Sequence, residues 1–164
     1  MHAENKHWDD IEHSLFTFKW ASHLILSDLS GTVVTENQQQ AYADYLTASA
    51  ETGVQFLAIR TRYGLEHYVC LSFVVEGENE QQALQNTTAA ALEGLESVGV
   101  DVDNLEFVEA HLVYEEQLKE DNLVAARAGQ PLKHIYDRDY IFNPEEARDI
   151  FGDLKPVFQE IASF

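Results

Sequence analysis

The sequence predicts an α+β fold: an antiparallel sheet with two helices on one face, followed by a helical extension. Three observations predict it. Residues 54–76 form a strongly patterned hairpin, apolar alternation recurs at 15–26 and 105–114, and two amphipathic helices separate these strands.

Residues 1–14 are mostly polar and read as an arm or a short helix. In residues 15–26 the even positions are Phe16, Phe18, Trp20, Ser22, Leu24 and Leu26, and the odd positions include Lys19 and His23. That alternation favours a strand with its even side buried, although Ile11, Leu15, Phe18, Ser22 and Ile25 also fall at helical spacing. Residues 36–51 place Tyr42, Tyr45, Leu46 and Ser49 on one helical face, and Gly53 stops the helix.

The hairpin follows. With Tyr63-Gly64 as a two-residue turn, position 60 faces 67, 58 faces 69, 56 faces 71 and 54 faces 73. One face then carries Val54, Phe56, Ala58, Val69, Leu71 and Phe73. The other carries Leu57, Ile59, Tyr68, Cys70 and Ser72. Next comes a helix capped by Asn79, with Gln82 as capping-box partner, a stripe of Leu84, Thr88, Ala91, Leu95 and Val98, and a stop at Gly99. Residues 105–114 form the last strand, with Val108, Ala110, Leu112 and Tyr114 on its more apolar side. The order strand, helix, strand, strand, helix, strand is that of the ferredoxin-like βαββαβ arrangement over residues 15–114.

Residues 115–164 read as a C-terminal helical extension packed on the same domain. A helix over 115–128 precedes the loop "LKHIYDRDYIF". In "NPEEARDIF", Asn143 is the N-cap and Pro144 takes N1. Gly152 and Pro156 are expected to kink or split this last helix.

The formal net charge is −19, from 29 acidic and 10 basic residues. It argues against direct binding to nucleic-acid phosphates and to anionic membranes, and points to solubility or to a basic protein partner. No apolar run reaches the roughly 20 residues that span a bilayer. The single cysteine, Cys70, excludes a disulfide framework within the chain and suits a reducing cytoplasm. No CxxC, GxGxxG, P-loop, HExxH or GxSxG motif occurs, and no cofactor is expected.

Four groups hold chemistry-bearing residues. If the even sides of the first and last strands are core, their odd sides share the other face, which then holds Lys19, His23, Glu109 and His111 with Tyr68 and Cys70 from the hairpin. Arg60 and His67 are expected opposite each other at the hairpin's end. His23, Glu109, His111, Arg60 and His67 are the candidates for acid–base work, and the two histidines with Glu109 for binding a transition metal, against the simpler reading of polar residues on a half-exposed sheet face or at an interface. His7, Asp9 and His13 are metal-ligand types on an arm that reads more simply as solvated. The loop 133–140 could form a binding lip or tie itself down with local ion pairs. Leu57, Ile59, Tyr68 and Cys70 form an apolar second face that needs a cover, from the extension or from a second subunit in a homo-oligomer. The function expected from these features is a non-catalytic interaction or regulatory module, one version of it nucleic-acid mimicry. The alternative is a small-molecule binder or enzyme using the His/Glu/Arg cluster.

Overall fold

The computed structural model describes residues 18–28, 38, 40–42, 44, 54–61 and 68–162. They form an α+β structure with strands β1 (Phe18–Asp28), β2 (Val54–Thr61), β3 (Tyr68–Gly77) and β4 (Leu105–Tyr114). The strands lie in the order β2-β3-β1-β4, and every neighbouring pair is antiparallel. Three helices are α1 (Glu80–Ser97), α2 (Glu115–Arg127) and α3 (Pro144–Ala162). Gln38, Gln40, Ala41, Tyr42 and Asp44 are also helical, within the stretch where the sequence predicts the first helix.

One face of the sheet holds the main core. Trp20, Leu24 and Leu26 of β1, Val69, Leu71, Phe73 and Val75 of β3, and Leu105 and Ala110 of β4 are buried there. Leu84, Ala91, Leu92 and Leu95 of α1 and Ala147, Ile150 and Phe151 of α3 cover them. Two backbone approaches fix this layer. Gly77 lies so close to α1 that a Cβ would sit 2.8 Å from the Ala83 nitrogen. The buried Tyr42 ring fills the space where a Gly94 side chain would stand. One polar pair is enclosed: the Ser22 and Thr87 hydroxyls lie 2.8 Å apart, and Thr87 Oγ1 is 3.0 Å from the Ala83 oxygen.

The helix ends follow local chemistry. Asn79 Oδ1 accepts from the Gln82 nitrogen, while Gln82 Oε1 accepts from the Glu78 nitrogen. Gly99, at φ +87°, lets the Val100 nitrogen reach back to the Leu95 oxygen. Asn143 Oδ1 accepts from the nitrogens of Glu145 and Glu146. The last helix is not split: α3 runs on through Gly152 and Pro156.

Two registers differ from the sequence expectation. In the β2–β3 hairpin Arg60 pairs with Cys70 rather than His67, and Phe56 pairs with Phe73 rather than Leu71. A longer connection shifts the pairing, and an irregularity at Leu57 shifts it by one more residue. Beyond the irregularity the backbone of Ile59 lies opposite that of Leu71. The second irregularity lies in β4. Ile25 pairs with Glu109 and Leu26 with Phe107, so Val108 has no partner and is exposed, and Phe107 packs against the core in its place. Tyr114 keeps to the core side as the cross-strand partner of Trp20, on which it stacks at 3.8 Å, but at the end of the strand it is 41% exposed.

The residues after β4 serve both faces of the sheet. α2 and the strap between Ala128 and Ile141 bury Ala21, Val113 and Tyr140 on the face opposite the core, with Leu118 and Ile135 against them. The strap then passes the outer edge of β4, where Ile141 bridges to His111 and the Phe142 nitrogen donates to the Ala110 oxygen. α3 returns to the core face. Lys155 Nζ donates to the Asp103 and Leu105 oxygens and pins its C-terminal half beside the turn before β4. The chain itself therefore covers the β1–β4 half of the second face.

Candidate functional site

Strand pairing builds a polar row on that second face. His23 stands between Ser72 on β3 and His111 on β4, each its direct cross-strand partner. His23 Nδ1 lies 2.8 Å from Ser72 Oγ, and the two imidazole rings meet edge to face at 5.6 Å. Glu109, two residues along β4, places Oε2 2.7 Å from His111 Nε2. His111 Nδ1 lies 3.0 Å from the Asp137 carbonyl oxygen of the strap. Both histidines are buried, whereas the Glu109 side chain is 37% exposed.

His111 is thus held at both ring nitrogens between a carboxylate and a backbone carbonyl. Such a ring orients its neighbours and has no nitrogen left to offer a ligand without giving up a bond. His23 meets Ser72, the ring of His111 and, at 6.0 Å, the ring of Tyr136. Among the described residues no group of three His, Cys, Asp or Glu side chains is arranged to hold a metal ion.

The strap is fastened above this row by its own polar residues. The Tyr140 hydroxyl donates to Asp121 Oδ2 at 2.6 Å, and Gln117 donates to Asp121 Oδ1 at 2.8 Å. The bond from Tyr140, then that from Gln117, holds the Asp121 carboxyl below the usual carboxylate range. Burial, and then the bond to Asp121, pushes the Tyr140 phenol above its ordinary value. Lys133 pairs with Asp139, which raises the lysine, and the Lys133 backbone nitrogen donates to Asn122 Oδ1 at 2.6 Å. The aspartates of "KHIYDRDY" accordingly tie the strap down, while Tyr136 and His134 stack on each other at its surface.

The structure brings His23, Glu109 and His111 together. It places the backbone of Arg60 opposite Cys70, the position the sequence expectation assigns to His67. His67, His7, Asp9 and His13 lie outside the described residues, as do the side chains of Leu57 and Ile59. Tyr68 and Cys70 are half-buried on the second face. Ser72 belongs to the row because β3 and β1 are in register, a relation between distant segments that no local pattern carries.

A separate concavity of about 560 Å³ opens at the corner where β1 starts and β4 ends. Phe18, Lys19, Tyr114, Glu115, Glu116 and Lys119 line it. No protein-family model matches the chain, and no curated protein matches it. No helix among the described residues is long and apolar enough to cross a membrane.

Proposed function

We propose that the chain is a ferredoxin-like α+β domain over residues 15–114, with a C-terminal extension over 115–164, acting as a non-catalytic intracellular interaction module for a basic protein partner. The strand order β2-β3-β1-β4 supports the fold reading, since it is the order the split βαβ topology requires. Tyr42 packed on Gly94 supports a first helix lying beside α1.

One observation carries the functional reading. Glu145, Asp149 and Asp153 recur every four residues along the exposed face of α3, whose opposite face is anchored in the core by Ala147, Ile150 and Phe151. None of the three makes an ion pair among the described residues. Lys155, bonded to the Asp103 and Leu105 oxygens, brings the exposed Asp101 and Asp103 alongside the end of that row. The row is rigid, unneutralised and repeats at about 6 Å. A basic protein surface matches such a row by charge. A fluorescent lysine- and arginine-rich peptide titrated at increasing salt tests this: binding should weaken steeply, and salt-insensitive binding would sink the reading.

A second reading rests on the 2.8 Å contact of Ser72 with His23 beside the His111–Glu109 pair, a hydroxyl and a base within proton-transfer reach. It would make the row an acid–base site. Labelling by a serine-directed phosphonate that disappears in His23→Gln would favour it; no labelling would leave the row as the strap's footing.

A further inference from the structure

We infer that the corner groove is a small-molecule site for an aromatic α-amino acid, bound as its zwitterion. The groove exists because the strands end unevenly. Trp20 pairs with Tyr114, the last residue of β4, so Phe18 and Lys19 run beyond the strand that should flank them. The chain turns into α2 at that point, and the first turn of α2 becomes the second wall.

The aromatic wall is rigid. Tyr114 stacks on Trp20 at 3.8 Å and 28°, and Trp20 is 2% exposed with its indole N–H donated to the Gly77 oxygen at 3.0 Å. Phe18 meets Tyr114 edge-on at 5.5 Å. Both outer rings stay 41% exposed, so a flat apolar ligand finds a fixed surface to cover. The volume lies within the range of small-molecule sites.

The polar lining selects charge of both signs. Lys19 is exposed and its side chain makes no hydrogen bond or ion pair among the described residues, although it stands opposite Glu76 in the sheet. Across the groove, Glu116 is 87% exposed and touches Lys119 only at 3.4 Å; Lys119 shares itself with Glu115 at the same distance. Such solvated pairs are weak and readily exchanged. One free ammonium and one loosely held carboxylate beside an aromatic wall suit a ligand carrying a carboxylate, an ammonium and a ring. A purely anionic ligand would meet Glu115 and Glu116, and a purely cationic one Lys19 and Lys119. This site is separate from the acidic row on α3, so each reading stands or falls alone.

The test is an amide-shift titration of isotope-labelled protein with L-phenylalanine, phenethylamine and hydrocinnamate at up to millimolar concentrations. L-phenylalanine should give saturable shifts confined to Phe18, Lys19 and residues 114–119. Phenethylamine and hydrocinnamate should each bind roughly fivefold more weakly or worse, about the worth of one exposed charge contact. Phe18→Ala, Lys19→Gln and Glu116→Gln should each weaken the amino acid by a similar factor, and all three positions are exposed enough to change without unfolding the domain. The triple change Glu145→Gln, Asp149→Asn, Asp153→Asn should leave it unchanged. Absence of saturable shifts at these amides overturns the inference. So does equal binding of either singly charged analogue, or equal loss in the α3 variant.

Discussion

Alanine in place of Gly94 should destabilise the protein, although glycine is a poor helix residue. In the interior of α1 alanine gains about 1 kcal/mol of helix propensity. Against that gain, the new Cβ would lie 2.4 Å from Tyr42 Cε2 and about as close as 3.0 Å to Cζ. Tyr42 is fully buried, with its hydroxyl 3.4 Å from the Ala91 oxygen, so the ring has no open space to move into. Overpacking of this kind costs about 1–3 kcal/mol, leaving a net loss of about 1 kcal/mol. Gly152 provides the control: it lies in α3, is exposed, and a Cβ there meets nothing within 4 Å. Gly152→Ala should stabilise by about 0.5–1 kcal/mol. Urea unfolding of both variants gives the signs directly. Adding Tyr42→Leu to Gly94→Ala should relieve most of the alanine's cost, a coupling of about 1 kcal/mol. If Gly94→Ala stabilises as much as Gly152→Ala, the Tyr42 segment does not pack on α1, and the two-helix layer proposed for this face is wrong.

Other expectations follow from the same contacts. Thr87→Val keeps the shape but strands the Ser22 hydroxyl, and should cost about 1–3 kcal/mol by urea unfolding; Ser22→Ala added to it should recover part of the loss. Asp121 has a depressed folded-state pKa, so its contribution to the strap is complete above the ordinary carboxylate value of about 4 and is lost as the pH falls through the depressed one. Hydrogen exchange at Tyr140 and Ile141 should therefore accelerate, beyond its intrinsic pH dependence, on acidification below that range, and Tyr140→Phe should abolish the step. Glu109→Ala should loosen the His111 ring, read as broadened ring resonances, while the Gly77 amide region remains unchanged.

Much of the fold is written locally. The strand at 105–114, the Asn79 and Asn143 caps and the Gly99 stop each depend on a few adjacent residues, and the structure has them where those residues say. The two registers are different in kind. Whether Leu57 and Val108 are paired or skipped depends on what packs across the sheet, and a tight Tyr63-Gly64 turn reads as sensibly from sequence as a longer connection. The second face was legible by parity alone for His23, Glu109 and His111, because alternation within β1 and β4 puts them on one side. Ser72 and the strap were not, since they depend on β1–β3 pairing and on a segment with no periodic pattern. The corner groove had no sequence signal: it arises from where two strands stop.

In the proposed function the α3 row, and not net charge, engages a basic partner. The direct measurement is the affinity of the lysine- and arginine-rich peptide for two variants of equal charge. One carries Glu145→Gln, Asp149→Asn and Asp153→Asn; the other carries Glu76→Gln, Glu106→Gln and Glu120→Gln, exposed carboxylates on three different elements. The row variant should lose roughly tenfold or more in affinity and the scattered one little. Equal losses in the two variants would contradict that role for the row.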